Sequence, residues 1–126
     1  MRAEAPANAA IVPASENFTH LLRACELSIS QAGYNTVVDV LQAGCRGLLV
    51  PYAQAGEMEQ TLRAQRLQDM GYLATCPSTS LSGASLAARI DQVMQEPFPD
   101  AHPPLDLHGA RNSAELLQSW MRTPGR

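Results

Sequence analysis

The sequence predicts an α/β fold, a three-layer arrangement in which a parallel sheet of about four strands is flanked by helices. Three observations point there. Short apolar runs (Leu27-Ser28-Ile29-Ser30, Gly47-Leu48-Leu49-Val50-Pro51, Tyr72 to Cys76) alternate with longer stretches whose apolar residues recur every three to four positions. Repeated alternation of strand and helix calls for right-handed crossovers, and these make neighbouring strands parallel. The composition is 45 % hydrophobic but only 5 % aromatic, with much alanine, which favours helices over an all-β sandwich.

Residues 1–9 are rich in Ala and Pro and read as a flexible N-terminus, leaving residues 10–126 as a single α/β domain. Ala10-Ile11-Val12 is a first short strand. A helix follows to about Cys25, with Ser15 or Asn17 as its cap and Phe18, Leu21, Leu22 and Cys25 at helical spacing. Leu27–Ser30 is the second strand. Beyond the turn Gln31-Ala32-Gly33-Tyr34, a helix runs from about Asn35 to Ala43 and stops at Gly44. The unbroken apolar run Gly47–Pro51 reads as a fully buried parallel strand. A long polar helix from about Glu57 to Met70 ends at Gly71, and Tyr72–Cys76 is a weaker strand. Leu81–Gln95 is an amphipathic helix with Leu86, Ile90, Val93 and Met94 inward. Residues 96–104 hold four of the nine prolines and are extended, and a last helix from about Gly109 to Met121 carries Ala114, Leu117 and Trp120 as its apolar stripe.

A chain of 126 residues is one domain's worth, able to bury roughly two-thirds of its unfolded surface. The net charge is −3 and the nine cations, all arginine, are scattered, so nucleic acid is an unsuitable partner: phosphate binding needs clustered positive charge. Cys25, Cys45 and Cys76 are odd in number and far apart, which fits small buried hydrophobes better than a disulfide framework or a zinc ribbon. No stretch of 18 apolar residues suggests a spanning helix, and no signal peptide is visible, so a cytoplasmic location is expected.

In parallel sheets of this kind ligands bind beyond the C-terminal ends of the strands. Two segments fall there. The first is Ser30-Gln31-Ala32-Gly33-Tyr34-Asn35-Thr36-Val37-Val38-Asp39. Gly33 permits positive φ or close backbone approach, the N–H groups of a helix start suit a diphosphate, and Asp39 can accept from ribose hydroxyls. The same residues also read as a plain helix start, with Asn35 or Thr36 as N-cap and Thr36-x-x-Asp39 as a capping box. The second is Pro51 to Ala64, in which Glu59 and Gln60 can grip sugar hydroxyls. Its competing reading is a solvated face with Glu59 and Arg63 as an i,i+4 pair. Asp100, His102, Asp106 and His108 form two Asp-x-His pairs, but the intervening prolines spoil a regular ligand geometry and the segment reads as a linker. His20 reads as a surface or half-buried residue.

Taken together, Ser-x-x-Gly-x-x-Thr-x-x-Asp, Gly-Leu-Leu-Val-Pro and Glu-Gln-x-x-Arg-Ala resemble the C-terminal, donor-binding domain of family 28 glycosyltransferases, the MurG type of the GT-B fold. Leu27–Gly71 is most similar to a bacterial branch of predicted glycosyltransferases. The resemblance covers roughly residues 10 to 120. It implies a partial Rossmann-like domain, the C-terminal half of a GT-B fold. It implies backbone groups of Ala32, Gly33 and Tyr34 on the donor diphosphate and Asp39 on the ribose. Glu59 and Gln60 then fall on the donor sugar, and the loop near Ala14-Ser15 on the base. Relatives often have Glu in place of Asp39, and a glutamine in place of Glu59.

The implied activity is inverting hexosyl transfer from a nucleotide sugar, a UDP-hexose or UDP-N-acetylhexosamine, without a protein-bound metal or other cofactor. No Gly-rich loop precedes residue 30 and no acceptor-binding half is recognisable. The resemblance therefore implies a truncated donor domain that needs an acceptor-binding domain or chain for turnover and supplies no identifiable catalytic base. Such a partner would place it at the inner membrane face. An exposed sheet edge offers pairing with that partner or a second copy. The competing function is an interaction or regulatory module that binds a nucleotide, or docks on a separate chain, without catalysis.

Overall fold

The computed structural model describes residues 5–13, 16–54, 58–98 and 105–122. The elements are α1 (Phe18–Ala24), β1 (Ser28–Ser30), α2 (Tyr34–Ala43), β2 (Gly47–Leu49), α3 (Glu59–Asp69), β3 (Ala74–Thr75), α4 (Gly83–Gln95) and α5 (Gly109–Arg122), with a 3-10 turn at Ser78–Ser80 before α4. The three strands form one parallel sheet in the order β1-β2-β3, with Ile29 opposite Leu48 and Leu49 opposite Thr75. Each crossover carries one helix, as the alternating sequence pattern requires.

The central strand explains the layers. Its side chains alternate between faces. Leu49 joins Leu22, Val37, Val40, Ala64, Leu67 and Leu73 in the larger core, beneath α1, α2 and α3. Leu48 joins Cys76 and Val93 in the smaller one, beneath α4, with Leu86 and Ile90 packed against it. Leu48, Leu49 and Val40 are the largest fully buried side chains, each worth roughly 1.5–3 kcal/mol of transfer free energy. Gly47 starts β2 where neighbouring side chains leave little room for another: a Cβ there would lie 2.7 Å from Leu73 Cδ2 and 3.0 Å from Val40 Cγ1.

Polar ties fix the helices on the sheet. Arg46 donates to the carbonyls of Val93 and Glu96 at the end of α4, the latter at 2.9 Å, and lies over the Phe98 ring. Arg89 donates to the Thr75 carbonyl at 3.1 Å. Gln68 accepts from the Thr75 N–H at 2.9 Å and so ties α3 to β3. Gly44 (φ 67°) and Gly71 (φ 78°) take the left-handed conformation that ends α2 and follows α3, as their positions in the sequence suggested.

Four expectations need correction. Ala10-Ile11-Val12 is not a strand: it is irregular and exposed, and the described sheet has three strands rather than four. Without a neighbouring strand to pair with, the two β-branched residues Ile11 and Val12 have nothing to stabilise an extended conformation. Neither Asn35 nor Thr36 caps α2. The helix begins earlier, at Tyr34, with Gly33 as its N-cap and no side-chain cap bond, so Thr36-x-x-Asp39 lies inside the helix and is no capping box. Met94 is 40 % exposed rather than inward. The apolar stripe of α5 exists but is not packed: no described residue of the helix is buried, and Leu117 and Trp120 are 55 % and 68 % exposed.

Candidate functional site

The C-terminal ends of β1 and β2 lie side by side, the N–H of Val50 donating to the Ser30 carbonyl at 2.8 Å just past the paired residues. The chain leaves β1 through Gln31-Ala32-Gly33 and enters α2. It leaves β2 through Pro51 and enters α3 at Glu59. The parallel topology thus brings both candidate segments to one edge of the sheet.

At the first of them the fold makes no demand for a glycine. Gly33 has φ −63° and ψ 145°, ordinary extended backbone open to any residue. A Cβ built on it meets nothing within 4 Å. Of the two uses expected for Gly33, positive φ is therefore not realised and close backbone approach remains, with the same open space that Gly44, Gly71, Gly83 and Gly109 have. The first turn of α2 has N–H groups with no intrahelical acceptor and no capping side chain. Ala32, beside Gly33, is fully buried and pins the turn to the core. The Ser30 hydroxyl, at the start of the turn, is buried with no hydrogen-bond partner. Asp39, in the second turn of α2, is half-buried, and its carboxylate makes no hydrogen bond or ion pair with any described residue.

At the second segment, Glu59 and Gln60 occupy the first turn of α3. Gln60 accepts from the Tyr52 N–H through Oε1 at 3.1 Å, which commits its oxygen to the loop after β2 and leaves its NH₂ end as the part suited to hydroxyl groups. Glu59 is 81 % exposed and pairs with Arg63 one turn on. Arg63 is the residue whose importance the sequence did not show. Beyond the i,i+4 pair, it donates to the Ala32 carbonyl at 2.8 Å and sits 5.7 Å from the centre of the Tyr34 ring.

The structure therefore brings Ala32, Tyr34 and Glu59 together around Arg63. Asp39 and Gln60 are not among the hydrogen-bond partners of Arg63, and Gln60 is bonded to the Tyr52 N–H instead. Ala14 and Ser15, expected near the base, lie outside the described residues, as does Glu57. A cleft of about 510 Å³ opens between α2, α3 and residues 105–109. Tyr34, Glu59 and Arg63 line it, but Gly33, Asp39 and Gln60 do not, so it is a neighbour of the sheet edge and not the edge itself.

Other candidate groups have structural roles. Asp106 accepts from the His108 N–H at 2.8 Å and from the Asn112 side chain at 2.6 Å, which organises the start of α5. Asp100 and His102 lie outside the described residues, and no group of three or more potential metal ligands occurs among the described ones. His20 is exposed on α1. Burial, and then the neighbouring Cys25 thiol, push Cys45 up to about 11, so it is a neutral thiol near pH 7 and a poor nucleophile. No described helix is long and apolar enough to cross a membrane.

The sequence pattern of the glycosyltransferase family 28 C-terminal domain matches residues 2–116. The chain belongs to this family. Among curated proteins it is similar to UDP-N-acetylglucosamine–N-acetylmuramyl-(pentapeptide) pyrophosphoryl-undecaprenol N-acetylglucosamine transferases. That of Rhodospirillum centenum is 31 % identical over 91 residues, 72 % of this chain and 24 % of the relative. That of Azotobacter vinelandii is 33 % identical over 94 residues, 75 % of this chain and 26 % of the relative. The chain thus spans about a quarter of the length of these relatives. Among solved structures, the spinosyn forosaminyltransferase SpnP superposes with a TM-score of 0.66 at 18 % identity, over 99 % of this chain and 30 % of that one. A glycotransferase of kitacinnamycin gives 0.60 at 15 %, over 73 % and 22 %. The fold is accordingly the α/β arrangement of the C-terminal half of a GT-B glycosyltransferase.

Proposed function

We propose that this chain is the nucleotide-sugar-binding part of an inverting hexosyltransferase that uses a UDP-hexose or UDP-N-acetylhexosamine. The observation that carries the reading is the start of α2: an uncapped helix N-terminus behind a glycine whose conformation and packing do not require it to be glycine. Backbone N–H groups at such a position, with the helix dipole behind them, suit a diphosphate. Family membership supports the reading independently.

In this assignment Ala32, Gly33 and Tyr34 present the turn to the diphosphate. Asp39, unengaged within the described chain, accepts from the ribose hydroxyls, and Glu59 and Gln60 hold the donor sugar as acceptor and donor. As the glycosidic bond breaks, negative charge grows on the departing UDP. Fixed N–H groups stabilise that charge without having to reorganise. The nucleophile is an acceptor hydroxyl presented by a separate acceptor-binding half, at the inner membrane face for an acceptor of the lipid-linked kind named in the relatives. The outer edge of β1, with Ile29 45 % exposed, is the edge on which that half or a second copy would pair.

Calorimetric titration with UDP and UDP-N-acetylglucosamine tests the reading. The expected result is saturable binding of both, with Asp39→Ala weakening both roughly tenfold while the thermal unfolding midpoint stays nearly constant. Absence of binding at millimolar ligand, or an Asp39→Ala variant that binds like the parent, would contradict it.

A further inference from the structure

Arg63 draws its partners from two different crossovers. Its side chain is only 21 % exposed, against 81 % for Glu59. One terminal nitrogen donates to the Ala32 carbonyl, in the turn that follows β1, at 2.8 Å. The other pairs with the Glu59 carboxylate, in the first turn of α3. The guanidinium lies over the ring of Tyr34, the first residue of α2. An exposed i,i+4 pair on one helix contributes little and constrains little. A guanidinium that joins two crossovers through its rigid planar fork fixes a distance between them.

We propose that Arg63 is a positioning residue of the donor site: it ties the Ala32 carbonyl to the Glu59 carboxylate and so holds the diphosphate-binding turn and the sugar-binding carboxylate at one separation. The proposal rests on the donor-site reading above. Diphosphate and sugar are parts of one molecule, so a donor can engage both subsites only if their spacing matches its own. Each terminal nitrogen of Arg63 has a protein acceptor, and the role proposed is exerted through Ala32 and Glu59. Losing it should therefore penalise the ligand that spans the two subsites more than the ligand that occupies one.

The test compares UDP with UDP-N-acetylglucosamine on the full 126-residue chain and its Arg63→Ala variant, by calorimetry alongside thermal melts. The expected result is a loss of roughly tenfold or more in affinity for UDP-N-acetylglucosamine, with UDP weakened by less than about threefold. Arg63→Lys, which keeps the charge but cannot reach both acceptors, should show the same split, and it serves as the second variant should Arg63→Ala fail to fold. Equal losses for both ligands, or no loss, overturn the proposal while leaving the donor site standing. A parent chain that binds neither ligand overturns the donor-site reading, and this proposal with it.

Discussion

Helix α4 opens on Ser82, whose hydroxyl accepts from the Ser85 N–H at 3.0 Å while the Ser85 hydroxyl accepts from the Ser82 N–H at 2.8 Å. Helix α2 opens on Gly33 with no side chain over its first N–H groups, although Asn35 and Thr36 stand just beyond. Within one small domain, one helix start is closed by its own sequence and the other is left open. The closed one follows β3 through a 3-10 turn; the open one lies where β1 ends, beside the end of β2. Helices α1 and α3 also start without a side-chain cap bond, so what sets the α2 start apart is its place at the end of β1, beside the end of β2. A polar cap at position 33 would satisfy the same N–H groups, and its absence has no explanation in the backbone angles or in the packing.

The strongest way to break this comparison is to close the open start. Gly33→Asp places a capping carboxylate where the diphosphate is assigned, and like charges in contact cost several kcal/mol. UDP affinity should fall by about 100-fold or more in calorimetry, with the melting temperature unchanged or slightly raised. The next effect contrasts two glycines. Gly47→Ala drives a methyl into Leu73 and Val40 and should cost about 1–3 kcal/mol in denaturant unfolding. Gly33→Ala meets open space and should be neutral or stabilising by up to ~1 kcal/mol. Ser82→Ala removes the α4 cap and should cost about 1 kcal/mol, leaving UDP affinity unchanged.

The smallest effect concerns a third helix start. The Asp106 carboxylate before α5 is held below its usual value of 3.8, first by the His108 N–H and then by the Asn112 side chain. A lowered value in the folded state means that the contribution is complete above the ordinary carboxylate range and is lost as pH falls through the lowered one. The side-chain carboxyl resonance of Asp106 should therefore hold its ionised position from neutral pH to about pH 4 and move only below it.

The comparison also shows what could be read from the residues. Strand and helix alternation, the stops at Gly44 and Gly71 and the buried run Gly47-Leu48-Leu49 were legible because local chemistry sets them: left-handed glycines end helices, and a strand covered on both faces is apolar throughout. The location of Gly33, Glu59 and Gln60 at one sheet edge followed from parallel topology, whereas Asp39 lies in the second turn of α2. The start of α2 was misread because Asn35 and Thr36 have capping propensity wherever they stand, and propensity yields to the geometry of the chain leaving β1. Ala10-Ile11-Val12 failed as a strand because pairing requires a neighbour that local composition does not reveal. Arg63 was legible only as the partner of Glu59 and as the arginine of Glu-Gln-x-x-Arg-Ala. Its bond to Ala32 spans 31 positions, and no spacing rule reaches a contact made across two crossovers.

One amide-resolved NMR titration of the 126-residue chain with UDP places both helix starts in the same spectrum. The account predicts progressive, saturable shifts for residues 33–36 at the start of α2, while residues 83–86 at the start of α4 stay still as an internal control. Shifts of similar size at both starts, or none at α2 with millimolar UDP, would contradict the claim that the open start is the diphosphate seat.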